Sequence, residues 1–263
     1  MTPQRLAEAA DWIAQRRLAR QPIADLPAHL KPSTEYAGYA VQALVRDRLI
    51  AAGAGAAIGW KVGATTPAMQ RLLNVPGPCA GEMLAGGLLR GGARIAASDY
   101  TRLGIECEIA VELGAPLGGS GTVDREQAAA AVARIYPAAE VVDDRYGDFR
   151  GFGVPGLIAD FFFHAGLVLG EPMEAWRKLD LAKVTGTTSV DGVERLVGRG
   201  ADVLGHPLDS LAWLANRLAA LGRRLEPGAI VMTGSLPLPH WAAAGERVEI
   251  ALSGIGAVTI EVG

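Results

Sequence analysis

Only two cysteines, Cys79 and Cys107, occur in the 263 residues. Two thiols exclude a disulfide framework, and without a C-x-x-C pair they exclude a thiolate zinc site. Such sparing use of cysteine fits a reducing compartment. A dominant charge is missing too. The 25 Lys and Arg stand against 28 Asp and Glu, which leaves a formal net charge of −3. That balance excludes the basic footprint of a nucleic-acid-binding domain. No run approaches the ~20 apolar residues of a membrane span. Glu8, Asp11 and several arginines interrupt the first twenty residues, which excludes the apolar core of a secretory signal. The expectation is a cytoplasmic protein with neither nucleic acid nor membrane among its partners.

Familiar catalytic signatures are also lacking. There is no G-x-x-x-x-G-K-[ST] phosphate loop. Gly53, Gly55 and Gly59 approach a dinucleotide fingerprint, but Ile58 breaks it and the glycines precede a strand instead of following one. Gly118 and Ser120 are followed by Thr122, so no G-x-S-x-G elbow forms. His29, His164, His206 and His240 show no ligand spacing and read as surface, turn or hydrogen-bonded core histidines.

Glycine is plentiful, with 34 residues, and 15 prolines join it between short apolar runs. This predicts many tight turns between short strands. Leu6, Ala9, Ala10, Ile13 and Ala14 predict a helix over the first twenty residues. Ser33 or Thr34 caps a second helix to about Ala52, with Tyr36, Tyr39, Ala40, Ala43 and Leu44 inward. Ala57 to Gly63 reads as a strand, Thr66-Pro67 opens a short helix through Leu73, and Pro76 to Gly81 reads as a loop. A strand is expected over Ile105 to Leu113, a helix over Asp124 to Ile135, and a buried strand over Ala138 to Val142. Pro155 to Phe163 is a short helix or turn, with a strand to Leu169. Strands over Leu181 to Leu196 turn at Asp191-Gly192. Pro207 to Leu221 is a helix, and three strands close the chain. Strands and helices do not alternate regularly. The expected class is therefore α+β with a rolled, antiparallel or mixed sheet. A helical region over 1–56 precedes a catalytic β-roll over 57–263 in one structural unit.

The most informative stretch is Gly104-Ile105-Glu106-Cys107-Glu108-Ile109-Ala110-Val111-Glu112. On a strand, residues two apart share a face, so Glu106 and Glu108 project side by side, roughly 6.5–7 Å apart at the backbone. Their carboxylates suit a hard cation that prefers oxygen ligands. The plain alternative is a strand with a polar outer face, continued by Glu112. Glu140 lies in the apolar run Ala138 to Val142, where a lone carboxylate is costly unless paired or bound to metal. Lys61 sits among apolar and small neighbours in Ile58 to Gly63. There it either orients an anionic substrate and moves a proton, or is an exposed strand lysine.

Six ordered segments carry a family resemblance. They are Gly59 to Thr65, Ile105 to Ala110, Glu140 to Arg145, Leu204 to Leu208 with Trp213 to Asn216, Val231 to Leu236, and Gly254 to Val258. Together they resemble the 2-keto-4-pentenoate hydratase family of the fumarylacetoacetate hydrolase superfamily, over nearly the whole chain. The resemblance implies a mixed β-roll of the fumarylacetoacetate hydrolase C-terminal-domain type with N-terminal helices, assembled as a homo-oligomer. It implies Mg²⁺ or Mn²⁺ held by Glu106, Glu108 and Glu140, with Lys61 in catalysis and Thr233 and Asp160 toward the substrate. Two segments depart from the family. Pro78-Cys79-Ala80-Gly81 stands where hydratases carry Pro-Asp-Phe-Gly, which makes Cys79 the substitute candidate for the acid. Ala159-Asp160-Phe161 stands where they carry Ala-Asp-Asn. The implied reaction is addition of water to a small 2-hydroxy-dienoic acid. The alternatives are decarboxylation of a 2-oxo-dioate, C–C hydrolysis of an acylpyruvate, or a catalytically altered partner subunit.

Overall fold

The computed structural model describes residues 1–263. Two helices open the chain, α1 (Pro3–Leu18) and α2 (Glu35–Ala51). Thr2 and Thr34 cap them by accepting the backbone N–H of Arg5 and Ala37, donors that a first turn leaves free. β1 (Ala57–Gly63), α3 (Pro67–Leu73), β2 (Cys79–Leu84), β3 (Leu88–Arg90) and β4 (Ala93–Ile95) lead to the long β5 (Leu103–Leu113) and short β6 (Leu117–Gly118). α4 (Arg125–Ala131) runs into β7 (Val132–Asp143), followed by α5 (Phe149–Phe152), α6 (Val154–Ala159) and β8 (His164–Leu169). The last third holds β9 (Thr185–Val190), β10 (Val193–Arg199), α7 (Pro207–Ala220), β11 (Arg224–Leu225) and β12 (Ile230–Ser235). β13 (His240–Trp241), β14 (Arg247–Leu252) and β15 (Gly256–Val262) complete it. No helix is long and apolar enough to cross a membrane.

The main sheet has the order β2-β1-β12-β5-β7-β8-β3, with β13 added beside the start of β5. β1–β12 and β3–β8 are parallel and the other pairs antiparallel, so the sheet is mixed. It curls until β2 approaches β8. A second sheet, β10-β9-β14-β15-β4, packs against the outside of β5 and β7. This is the expected α+β roll.

The two-residue period of a strand divides β5 between two environments. Ile105, Cys107, Ile109 and Val111 belong to the large core shared with the second sheet. A side chain at Gly186 of β9 would strike the Cys107 sulfur, which shows how closely the layers meet. The opposite face of β5 looks into the roll. Ala110 packs there with Met83, Tyr136, Ala138, Leu167 and Met232. Glu106 and Glu108 share that inner face.

Three local expectations are corrected. Tyr36 does not face inward; it is 71% exposed. The buried face of α2 runs through Ala37, Gly38, Tyr39, Val41, Gln42, Val45 and Leu49, so Tyr39 is inward as expected. Gly38 sets it, because a Cβ there would lie 2.5 Å from the Pro155 carbonyl oxygen. The loop after α3 ends at Pro78, and Cys79, Ala80 and Gly81 pair with Gly63, Val62 and Lys61 of β1. Gly81 is required where the Phe161 carbonyl oxygen occupies the place of a side chain. Finally, the alanine-rich helix stops at Ala131. From Val132 onward the chain pairs with β5, and the tertiary ladder overrides local helix preference.

Candidate metal centre and its cavity

The antiparallel ladder between β5 and β7 places Glu106 directly opposite Glu140 and Glu108 opposite Ala138. Like charges facing each other across a ladder destabilise it, so this register asks for a counter-charge. Oxygens of Glu106, Glu108 and Glu140 all lie within 4.8 Å of one another. Glu108 and Glu140 are fully buried, and Glu106 is partly so.

Glu108 and Glu140 are each anchored by one oxygen. Glu108 Oε2 accepts the Gly234 N–H at 2.8 Å. Gly234 holds a φ of +120°, and a side chain there would run into Thr65, so only glycine fits. Glu140 Oε1 lies 2.9 Å from His164 Nδ1 and 3.2 Å from Lys61 Nζ. The other oxygens, Glu108 Oε1 and Glu140 Oε2, are buried without any hydrogen-bond partner. Buried carboxylate oxygens are normally satisfied. Three clustered carboxylates with two bare, buried oxygens fit a hard divalent cation such as Mg²⁺ or Mn²⁺.

The electrostatics agree. Burial, then the neighbouring charge of Glu140, pushes Glu106 up to about 7. Burial and the charges of Glu140 and Glu106 push Glu108 well up. Burial works against the charge on Glu140 as well, but Lys61 and His164 outweigh it and hold this carboxyl below its ordinary value. Burial likewise opposes the charge on Lys61, and the three glutamates outweigh it, so the ammonium is held. Burial keeps His164 below the usual imidazole range, as a neutral ring, despite Glu140.

Lys61 is 2% exposed, so it is a buried strand lysine with an acid partner. The ring of Phe162 covers it, with Nζ 5.2 Å from the centroid. Phe162 is held by an unusual turn, in which Phe161, Phe162 and Phe163 all have positive φ, at 60°, 50° and 70°. Non-glycine residues in this region cost of order 1–3 kcal/mol each and persist only where the surroundings hold them. Asp160 supplies a firm base for the turn. It accepts from Arg17 at 2.5 Å, from Arg145 at 2.8 Å and from the Tyr146 hydroxyl at 2.8 Å. Asp160 is therefore fully engaged and does not line the cavity.

Thr233 is equally occupied. Its buried hydroxyl donates to the Ile109 carbonyl at 2.8 Å. Cys79 lies at the Gly63 position of the β1–β2 ladder, buried in the large core. Burial pushes its thiol up to about 12, and its sulfur does not border the cavity. Of the expected site residues, the structure brings together Glu106, Glu108, Glu140 and Lys61 and leaves Thr233, Asp160 and Cys79 outside the cavity wall.

Lys61 and Glu106 border a cavity of about 450 Å³. Its remaining wall is mainly apolar, with Leu72, Leu73, Phe149, Phe162, Phe163 and Trp241 among its members. Arg102 and Asp144 are its other charged groups. Sequence reasoning missed His164, Phe162 and Arg102. A single histidine, a core-like phenylalanine and an exposed arginine carry no spacing signal; only the run of three phenylalanines was visible.

Residues 86–263 match the family model described as fumarylacetoacetate (FAA) hydrolase C-terminal. The chain belongs to the fumarylacetoacetate hydrolase family. A 2-keto-4-pentenoate hydratase from Paraburkholderia xenovorans is 30% identical over 261 residues, covering 99% of this chain and 96% of the relative. A 2-hydroxyhexa-2,4-dienoate hydratase from Comamonas testosteroni is 33% identical, covering 81% of each chain. The 4-oxalocrotonate decarboxylase of Pseudomonas putida G7, complexed with magnesium and adipate, superposes with a TM-score of 0.93 at 29% identity. That superposition covers 100% of this chain and 99% of the other.

Proposed function

We propose that the protein is a metal-dependent hydro-lyase that adds water to a small 2-hydroxy-2,4-dienoate, giving a 4-hydroxy-2-oxo acid. The observation that carries this reading is the set of three converging glutamates, two with bare buried oxygens, beside a buried lysine, with Glu106 and Lys61 bordering one mainly apolar cavity. The full-length likeness to hydratases supports it.

Glu106, Glu108 and Glu140 would hold Mg²⁺ or Mn²⁺, which when bound supplies Lewis-acid polarisation of substrate oxygens. Lys61 is placed to attract the substrate carboxylate and to exchange a proton at Nζ. Glu140, with Glu106 and Glu108, keeps that proton in place by holding Lys61 charged. Phe162 and the apolar walls exclude bulk water, which strengthens each charge interaction inside. Cys79, Thr233 and Asp160 serve packing and positioning.

The close superposition on a decarboxylase favours one second reading, loss of CO₂ from a 2-oxo-dioate. Purified protein with Mg²⁺, Mn²⁺ or EDTA, supplied with either substrate, separates the two. Loss of dienol absorbance with a product one water heavier supports hydration. Release of CO₂ from the dioate alone supports decarboxylation. Equal rates in EDTA would remove the metal from the reaction.

We also propose a cytoplasmic homo-oligomer, in which the helical region 1–56 props the catalytic roll 57–263. Both cysteines are free and buried, α2 packs on α6 and β2, and the edge strand β10 exposes Val193 and Val197.

A further inference from the structure

Arg17 lies in the last turn of α1, and its side chain is only 16% exposed. Its guanidinium makes three hydrogen bonds to the segment that carries Phe162. Nε donates to Asp160 Oδ1 at 2.5 Å, while Nη2 donates to the Asp160 carbonyl at 2.7 Å and to the His164 carbonyl at 3.0 Å. Those two carbonyls flank Phe161, Phe162 and Phe163, which all hold positive φ. The guanidinium also stands 4.7 Å from the centre of the Phe161 ring. One rigid fork thus spans both ends of the strained segment.

The strands make room for this segment. The Phe162 ring rests where a Cβ on Gly63 would lie 2.6 Å away, and the Phe161 carbonyl oxygen where a Cβ on Gly81 would lie 2.3 Å away. In that seat Phe162 covers Lys61. Three non-glycine residues in left-handed conformation persist only where their surroundings hold them. Relaxing them would change how the Asp160 and His164 carbonyls stand to each other. A planar guanidinium bonded to both opposes that change.

We propose that Arg17 is a positioning residue: from the N-terminal helix it clamps the turn at 160–164 and so keeps Phe162 over Lys61. Without it the turn opens locally and uncovers Lys61 while the roll stays folded. Each charge-assisted hydrogen bond that closes such a segment shifts the opening equilibrium by about tenfold or more. The inference goes beyond the hydratase reading and does not need it, because the cover over Lys61 can be read whatever reaction the lysine serves. Inactivity toward every dienoate would sink that reading alone.

The test labels lysines on the full chain, well below its melting temperature. The four lysines are Lys31, Lys61, Lys178 and Lys183, so acylation followed by peptide mass spectrometry follows Lys61 separately. Alkylation of Cys107, buried between the two sheets, reports global unfolding in the same samples. Arg17→Ala should speed Lys61 labelling by about tenfold or more, with Cys107 as slow as in the parent. Arg17→Lys should fall between parent and Arg17→Ala, because a compact ammonium does not reproduce the fork. Arg20→Ala, which removes an exposed arginine of the same region paired with Asp99, should leave Lys61 protected. Lys61 as slow in Arg17→Ala as in the parent overturns the proposal. So does a rise in Cys107 labelling equal to that of Lys61, which would make Arg17 a support of the whole fold. Equal exposure of Lys61 in Arg20→Ala would overturn it too, by showing a general loosening near α1. If Arg17→Ala does not fold, Arg17→Lys decides, and parent-like protection of Lys61 there rejects the clamp.

Discussion

Glu106 and Glu140 face each other as direct partners across the β5–β7 ladder, with Lys61 reaching Glu140 from a third strand. Two acids in that relationship repel each other unless a cation joins them. Replacing Glu106 by Gln should therefore weaken Mg²⁺ binding by at least about tenfold. The same change should leave the metal-free melting temperature unchanged or higher, because it relieves buried like-charge repulsion. Titration calorimetry and thermal melts in EDTA check both halves. A variant that unfolds, or that binds Mg²⁺ as the parent does, would contradict the assignment.

The raised carboxyls give a pH dependence with a definite sign. Burial and Glu140 push Glu106 up to about 7, and Glu108 is raised as well. A folded-state value above the unfolded one stabilises the protein fully below the ordinary carboxyl range near 4.5, and that contribution is lost as pH rises through about 7. Metal-free protein should melt lower at pH 8 than at pH 5. Mg²⁺ should restore more stability at pH 8, where protons no longer compete for the ligands. Equal metal-induced shifts at both pH values would show that these acids do not bind the ion.

Lys61→Ala should lower kcat by roughly 10²–10⁴-fold, the usual contribution of a placed proton-transfer group. Metal affinity should hold or rise, since a neighbouring positive charge is lost. Lys61→Arg should not restore turnover. Its planar fork must fit beneath Phe162 and close to Gly63, where the lysine head already lies tight. Full activity in the arginine variant would reduce Lys61 to a simple point charge.

Cys79 offers a contrasting outcome. Its thiol is buried in the large core and pushed up to about 12, so it is uncharged at neutral pH. Cys79→Ala should leave kcat far from the 10²–10⁴-fold loss of a proton-transfer residue. Cys79→Asp should lower the melting temperature, because it buries a carboxyl among apolar neighbours. A large loss of kcat in the alanine variant would return the thiol to the mechanism.

Much of this site was readable because strand geometry is strict. A period of two put Glu106 and Glu108 on one face, and the apolar run around Glu140 marked a carboxylate that needed a partner. The facing register of Glu106 and Glu140 was not readable, since it depends on how two strands align. Lys61 taken alone looked better suited to solvent, because its cover, Phe162, comes from a turn 101 residues later. The turn was hidden for a different reason: three phenylalanines in left-handed conformation defy local preference, and only the Asp160 network accounts for them. Similarly, Tyr36 lost the inward face of α2 to Gly38, whose importance lies in the backbone it allows close.

The strand pairings also date the parts of the site. β5 and β7 are neighbours along the chain, separated by little more than α4, whereas β1 finds its parallel partner β12 near the far end. Pairings that close long loops are made later than local ones. As the polypeptide leaves the ribosome, the acidic half can therefore come together while Ile230 to Ser235 is still unmade, and Lys61 can join only afterwards. Capture of an ion and competence for chemistry would then have separate birth times, with the ion available as an early pin for the ladder on which the rest of the roll closes.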